Sequence, residues 1–326
     1  MISLAAWALY IVLFLTLYRK VLNGCKYNDN VMIFLIFAMP IISRMFLTPD
    51  NLGRTDIFMI IISIVACLLV VKDRLIFLVI PLCSVAMMIH QGYAFMFFNI
   101  VVAILLYRIV VAKDNKHSKK YYITILAIVS VVVIGLLLYF ELFSSKFHAH
   151  DMETYNEIKE FAKQISNNDD YHEFVIKHEF LGAQESETWL SLKAALELVV
   201  YLVLISPIMW VAKSIAGTIL KNTKNKAFTI VLMCGALSML PDYVLKCDYG
   251  RWVFATFIYF FLLVVFLIIM GNQVVTNALQ DVIAKIRTTW MGAFICVYFM
   301  MFLPMKDMVI SKISARIVEV VWGIFT

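Results

Sequence analysis

Charged and aromatic residues crowd the stretch PDYVLKCDYGRW, residues 241–252, between two long apolar runs. Asp248 stands three residues before Arg251, so a helix places the carboxylate and the guanidinium on one face. A guanidinium held by a carboxylate binds phosphate or diphosphate through paired hydrogen bonds. In the alternative interpretation the stretch is an interfacial anchor, where Tyr249 and Trp252 form an aromatic belt and the charges pair in water.

His90 is a candidate general base, because imidazole titrates near neutral pH. It ends an apolar run and precedes Gln91, a candidate substrate-binding residue, and Gly92, which permits close backbone approach at a substrate-lined bend. The alternative is that His90 is an ordinary polar residue near a helix end. Asp242 is the rival candidate for the base, so both remain catalytic candidates, together with Asp248 as the partner of Arg251.

Two further arginines, Arg44 and Arg54, precede the third apolar run. Arg44 lies about one helical turn inside the end of an apolar segment, where an unpaired cation costs about 3 kcal/mol. Its side chain either extends outward to the interface or joins Arg251 in contacting an anionic lipid head group. Both arginines are therefore candidate substrate-binding residues.

The sequence contains no known motif for binding a metal ion or a nucleotide. The histidine-rich segment 141–189 lacks the HExxH spacing of zinc proteases, and Walker A, GxSxG and GxGxxG motifs are absent. The six cysteines form no CxxC pair. The net charge of +6 comes from Lys and Arg in short loops and not from one basic face. We therefore expect no metal, no cofactor and no nucleic-acid partner.

The elements that must position these residues are membrane helices. The chain of 326 residues is 63% hydrophobic and 15% charged, and several of its apolar runs are long enough to cross a bilayer. The runs are too continuous for alternating barrel strands, which predicts an all-α polytopic membrane protein of about ten spans. The predicted spans are residues 2–18, 31–47, 56–71, 75–89, 93–111, 122–140, 190–211, 228–240, 252–270 and 290–303.

The positive-inside rule predicts the orientation of these spans. One set of alternate loops holds 16 Lys and Arg residues and the other holds 7 outside the long loop, so the first set is predicted to be cytoplasmic. Both termini and the loop 141–189, a predicted helical cap between the helical regions 1–140 and 190–304, then face outward from the plasma membrane. Residues 305–326 are predicted to form an amphipathic helix on the outer surface.

This set of features resembles bacterial polysaccharide polymerases of the Wzy and EpsG type and the related O-antigen ligases. The shared features are about ten spans, one large outer loop, and outward-facing His, Asp and Arg clusters, with CDYGRW similar to Asp-x-Gly-Arg-Trp stretches in membrane proteins of surface-polysaccharide gene clusters. This chain departs from many of those polymerases in being shorter and in placing its long loop after the sixth span.

The resemblance implies a metal-independent glycosyl transfer on undecaprenyl diphosphate-linked repeat units. His90 or Asp242 would take the proton of an acceptor sugar hydroxyl, and Arg251, with Arg44 or Arg54, would stabilise the departing diphosphate. Outward aromatic side chains, with Tyr249 and Trp252 as the substrate-binding candidates, would stack on the sugars. The implied partners are the lipid-linked oligosaccharide, membrane lipids and other polysaccharide-assembly proteins.

Two alternatives of different classes remain open. A transporter or flippase also uses buried charges and broken spans, although here the charges cluster at one face and no repeated half is visible. A membrane O-acyltransferase also has about ten spans and an essential histidine, although the arginine-rich motifs expected near its first spans are missing here.

Overall fold

The computed structural model describes residues 2–25, 36, 55–111, 116–147, 160, 196, 199–200, 202–203, 206–240 and 249–287. Within these residues the protein is helical and contains no strand, which confirms the predicted all-α class. The helices are α1 (Ile2–Cys25), α2 (Asp56–Lys72), α3 (Val79–Ile89), α4 (Tyr93–Met96), α5 (Phe98–Val110), α6 (Lys119–Phe147), α7 (Ser206–Asn222), α8 (Lys226–Cys234), α9 (Tyr249–Ile269) and α10 (Gln273–Arg287). Two 3-10 turns, Ile76–Leu78 and Gly235–Met239, precede α3 and follow α8.

Three of the described helices are long and apolar enough to cross a membrane. These segments are Leu4–Asn23, Lys119–Phe140 and Trp252–Ile269. The last is 78% buried inside the protein and the second only 17%, so α9 is the central helix and α6 lies at the periphery. The exposed face of α6 carries large apolar side chains such as Val131 and Leu138. Exposed apolar surface of this extent is compatible with association with a membrane.

Polar contacts show which helix ends lie on the same side of the bundle. Arg108, near the end of α5, donates from Nε to the carbonyl oxygen of Val70 near the end of α2 at 3.1 Å. Asn272, just after α9, donates to the Tyr107 hydroxyl at 3.1 Å. The carboxyl ends of α2, α5 and α9 therefore lie at the same side of the bundle. Because α3 returns antiparallel to α2, His90 at its end lies towards the opposite side, where α2 and α9 begin.

A tight turn joins α2 to α3 at the opposite end. Asp73 and Leu75 have φ values of 54° and 51°, the left-handed region that L side chains adopt at a steric cost. The buried Asp73 carboxylate compensates by accepting hydrogen bonds from the Tyr122 hydroxyl at 2.6 Å and the Lys116 amide at 2.5 Å. The turn is thereby fastened to the start of α6.

Arg108 is one of the 16 Lys and Arg residues in the predicted cytoplasmic loops, but it is buried and has a structural role. Besides the Val70 carbonyl its guanidinium binds the carbonyl of Val71, and the last carbonyls of a helix have no donor within the helix. A cation at a helix carboxyl end is also favoured by the helix dipole. Exposed lysines and arginines surround this end of the bundle: Lys72, Arg74, Lys116, Lys119 and Lys120.

Two predicted spans are interrupted. The predicted span 93–111 is broken after α4, because Phe97 leaves the helical conformation with φ −132° and ψ −14°. The predicted span 228–240 changes from α8 to a 3-10 turn at Gly235. The physical reason is tertiary, since side chains from the neighbouring segment bind the backbone carbonyls at both interruptions.

Helix α10 is an element that the span prediction missed. Its residues alternate with helical periodicity, so that Val275, Leu279, Val282 and Ile286 are buried against the bundle. The exposed face is polar and carries Gln273, Asn277, Asp281 and Lys285. A search for long apolar runs overlooks such a helix because half of its residues are polar.

Several boundaries also differ from the predicted spans. Helix α1 runs to Cys25 and α6 to Phe147, beyond the predicted ends at residues 18 and 140, while α7 continues to Asn222. Apart from isolated positions, the predicted spans 31–47 and 290–303, the cap segment after residue 147 and the surface helix 305–326 lie outside the described residues.

Candidate functional site

The structure describes some of the predicted site residues. The side chains of His90, Gln91 and Trp252 are described, and Tyr249 and Arg251 are placed as backbone in the first turn of α9. Four other candidates lie outside the described residues: Arg44, Arg54, Asp242 and Asp248. The candidate site is therefore built from the His90 segment and the beginning of α9.

His90 forms a turn with Gly92 after the end of α3. The backbone at His90 is extended, and the Gly92 amide donates to the Nδ1 atom of His90 at 2.9 Å. The His90 carbonyl then accepts the Tyr93 amide at 3.0 Å, which begins α4. A Cβ atom at residue 92 would lie 2.9 Å from Nδ1, so only glycine leaves the ring in this place without a shift. Gln91 is exposed at the tip of the turn.

The Gly92 hydrogen bond determines which nitrogen of His90 carries the proton. Because Nδ1 accepts the amide hydrogen, the neutral ring holds its own proton on Nε2, where it is a donor. Proton abstraction at Nε2 requires the other tautomer, with the proton on Nδ1, and that tautomer loses the Gly92 bond. Base chemistry at His90 is thus coupled to a change in this turn.

The beginning of α9 lies on the same side of the bundle as His90. Helix α4, which follows the His90 turn directly, packs against both α9 and the turn Gly235–Met239. Asp56, at the beginning of α2, is also on this side and is buried. Among the described residues, His90, Asp56 and the start of α9 therefore lie towards one end of the bundle.

The Trp252 side chain, in the first turn of α9, is only 3% exposed. The indole packs within the bundle. The substrate-binding role of Trp252 stays a prediction. In α9 its carbonyl accepts the Thr256 hydroxyl at 2.9 Å.

Asn99 joins the two interrupted helices at what we call the Asn99 node, formed by Asn99, Gly235, Ser238 and the Phe95 carbonyl. The Asn99 amide nitrogen donates to the Gly235 carbonyl at 3.0 Å and to the Ser238 hydroxyl oxygen at 2.8 Å. The Ser238 hydroxyl lies 2.8 Å from the Phe95 carbonyl and donates to it. The backbone groups released by the interruptions are thus bound by side chains and not left unpaired.

Gly235 brings this node against the central helix. A Cβ atom there would overlap the hydroxyl and ring of Tyr259, which lies midway along α9. The Tyr259 hydroxyl in turn binds the Leu232 carbonyl of α8. Small residues at helix contacts allow such close approach in membrane proteins. The node therefore lies near the mid-height of α9, deeper in the bundle than the His90 turn.

Sequence reasoning missed Asn99, Ser238 and Tyr259. A lone asparagine within the apolar run YAFMFFNIVV is unusual in a membrane helix and was the available signal for the first of them. Ser238 and Tyr259 have no such signal, because serine and tyrosine are ordinary in apolar runs.

Comparisons with protein-family models, with curated proteins and with solved structures find no match to this chain. Within the described ranges, no group of three or more His, Cys, Asp and Glu side chains is placed to hold a metal ion. The geometry at the His90 turn, the start of α9 and the Asn99 node is therefore the basis for a functional proposal.

Proposed function

We propose that this chain is a plasma-membrane protein of about ten spans that polymerises undecaprenyl diphosphate-linked repeat units into a surface polysaccharide on the outer face. The observation that carries the proposal is that His90 and the beginning of α9, which includes Tyr249 and Arg251, lie on one side of the bundle. The opposite side carries the exposed Lys and Arg residues typical of a cytoplasmic face.

The proposed reaction transfers the growing glycan from its diphosphate carrier to the next repeat unit. The acceptor hydroxyl attacks the anomeric carbon of the donor sugar, the bond from that carbon to the diphosphate oxygen breaks, and the acceptor proton passes to His90 or Asp242. Undecaprenyl diphosphate leaves with the bonding electron pair, and its negative charge is neutralised by arginine. The residues assigned to the diphosphate are Arg251, oriented by Asp248, with Arg44 or Arg54. Gln91 and Tyr249 are assigned to the sugars.

The proposal is tested in a strain that lacks the chain. Lipid-linked single repeat units should accumulate on the outer leaflet and long polysaccharide should disappear, and re-expression of the chain should reverse both. Persistence of normal chain lengths in the deletion strain would contradict the polymerase assignment.

The orientation can be tested with two cysteines. In single-cysteine variants, Cys247 should react with a membrane-impermeant maleimide added to intact cells, and Cys25 should react only after permeabilisation. The reversed labelling pattern would place the His90 side in the cytoplasm and exclude an outer active site.

Arginine geometry at residue 251 gives a second functional prediction. Arg251→Lys keeps the charge but loses the planar two-point contact with a diphosphate, so it should lower the polymerisation rate roughly tenfold, nearly as much as Arg251→Ala. Asp248→Asn should have an intermediate effect, because an amide still orients the guanidinium by one hydrogen bond. Glycan chain length at matched protein levels is the measurement. Full activity of the lysine variant would mean that Arg251 is an interfacial anchor, since lysine and arginine extend to the interface alike.

Transport of the lipid-linked unit is a second candidate, and the paired helix interruptions at the Asn99 node favour it. Transporters commonly bind substrate where two interrupted helices meet near the middle of the membrane. The deletion strain separates the two functions: a flippase defect leaves the repeat units on the inner leaflet, where an impermeant sugar-oxidising reagent cannot reach them. A polymerase defect leaves them on the outer leaflet.

A further inference from the structure

The amide oxygen of Asn99 is a buried hydrogen-bond acceptor without a donor. Asn99 is 9% exposed, and its Oδ1 atom has no hydrogen-bond partner in the part of the chain that the structure describes. The amide cannot simply be turned over, because Oδ1 would then face the carbonyl oxygen of Gly235, to which Nδ2 now donates at 3.0 Å. The orientation that leaves Oδ1 unpaired is therefore the one that its neighbours require.

An unpaired acceptor in the interior of a protein indicates a missing partner. Buried polar groups in native proteins are hydrogen-bonded in the large majority of cases, and leaving one unpaired costs the desolvation of that group. Asn99 is the second residue of α5, two residues after the interruption at Phe97 and a short helix away from the His90 turn. The missing donor would thus be supplied close to the proposed glycosyl-transfer site.

We propose that Asn99 Oδ1 accepts a hydrogen bond from a sugar hydroxyl of the lipid-linked substrate. This inference rests on the proposed function. The groups of the Asn99 node are an amide, a hydroxyl and two carbonyls, so its residues carry no charge that would select a cationic donor. A neutral hydroxyl is the donor that such surroundings accept, and the oligosaccharide is the hydroxyl-rich part of the substrate. The bond positions the glycan at the helix interruption.

Three variants separate a substrate contact from a structural one. Asn99→Leu removes both the acceptor and the amide donor, whereas Asn99→Asp keeps an oxygen at the Oδ1 position and removes the amide donor. Ser238→Ala weakens the node and leaves Oδ1 unchanged. Lipid-linked repeat units extracted from the deletion strain serve as the probe, and the midpoint of thermal unfolding in detergent, with and without the probe, reports both stability and binding.

The apparent Kd of the probe should rise about tenfold or more in Asn99→Leu and should stay within about threefold of the wild-type value in Asn99→Asp and Ser238→Ala. The midpoint without the probe should fall in all three. Unchanged affinity in Asn99→Leu would overturn the proposal and would mean that a buried water alone occupies the acceptor. An affinity loss that follows the loss of stability equally in all three variants would also overturn it, because the node would then be structural only.

Failure of the Asn99 subsite can be distinguished from failure of the proposed polymerase function. If the deletion strain makes normal polysaccharide and its repeat units still bind through Asn99, the polymerase assignment is wrong and the subsite is retained. If the deletion strain loses polysaccharide while Asn99→Leu binds like the wild type, the polymerase assignment stands and the subsite is wrong. Repeat units that stabilise no variant, including the wild type, would overturn the subsite.

Discussion

Gly235→Ala should lower the free energy of unfolding by about 3 kcal/mol or more, as expected when a methyl group is forced into a closely packed contact. The added Cβ atom would overlap the hydroxyl and ring of Tyr259, whose hydroxyl is bound to the Leu232 carbonyl. Either that bond breaks and the ring moves, or α8 shifts away from α9. A shift of α8 would also separate Gly235 and Ser238 from Asn99. Denaturation in mixed detergent micelles measures the change.

Two companion variants show whether the overlap is the cause. Gly217, in the interior of α7, has no atom within 4 Å of the position of an added Cβ. Gly217→Ala should therefore leave stability unchanged or raise it by about 0.5 kcal/mol, because alanine favours a helix over glycine. Tyr259→Leu removes the overlapping ring atoms, so adding it to Gly235→Ala should recover part of the loss. Additive losses in the double variant would refute the steric explanation.

The sequence predicts the class of the fold because lipid and water impose simple rules. Long apolar runs can be stable only as helices in a bilayer, so the run that became α9 is identified from composition alone. Boundaries are less certain, because the charged residues that end a run in sequence do not end a helix. Lys119 and Lys120 illustrate this, since they form the first turn of α6.

The interruptions could not be predicted from hydropathy. The run containing Phe97 is apolar apart from Asn99. Its break is accompanied by a hydrogen bond from Ser238, 143 residues away in sequence, to the Phe95 carbonyl. Arg108 also could not be assigned from the sequence. The positive-inside rule counts it as a charge in a loop, but its side chain is buried against α2. Pairings between distant segments are not encoded in the local pattern, so the Asn99 node appears only in three dimensions.

The His90 turn could be predicted from the sequence only in part. A polar cluster with a glycine at the end of a short apolar run indicates a bend, and the bend is present at His90 and Gly92. The sequence does not indicate that the glycine amide would bind the imidazole itself. That contact gives His90 a structural role beside the proposed catalytic one, and substitution by alanine removes both roles at once.

His90→Ala should therefore abolish growth of the polysaccharide and lead to accumulation of lipid-linked single repeat units, with protein levels unchanged. Loss of a general base costs about a hundredfold or more in rate, which is larger than the effect expected at Arg251. The decisive comparison uses His90→Asn, because the asparagine Oδ1 occupies nearly the position of Nδ1 and can accept the Gly92 amide. This variant keeps the turn and removes the Nε2 atom.

If proton transfer through Nε2 is the function of His90, the asparagine variant should be as inactive as the alanine variant while its thermal stability returns towards the wild-type value. Glycan chain length and the unfolding midpoint in detergent provide the two measurements. Long glycan chains in His90→Asn would mean that the imidazole only fixes the turn, and Asp242 would then be the base. Loss of the protein in both variants would instead favour a structural role for the His90 side chain in the turn.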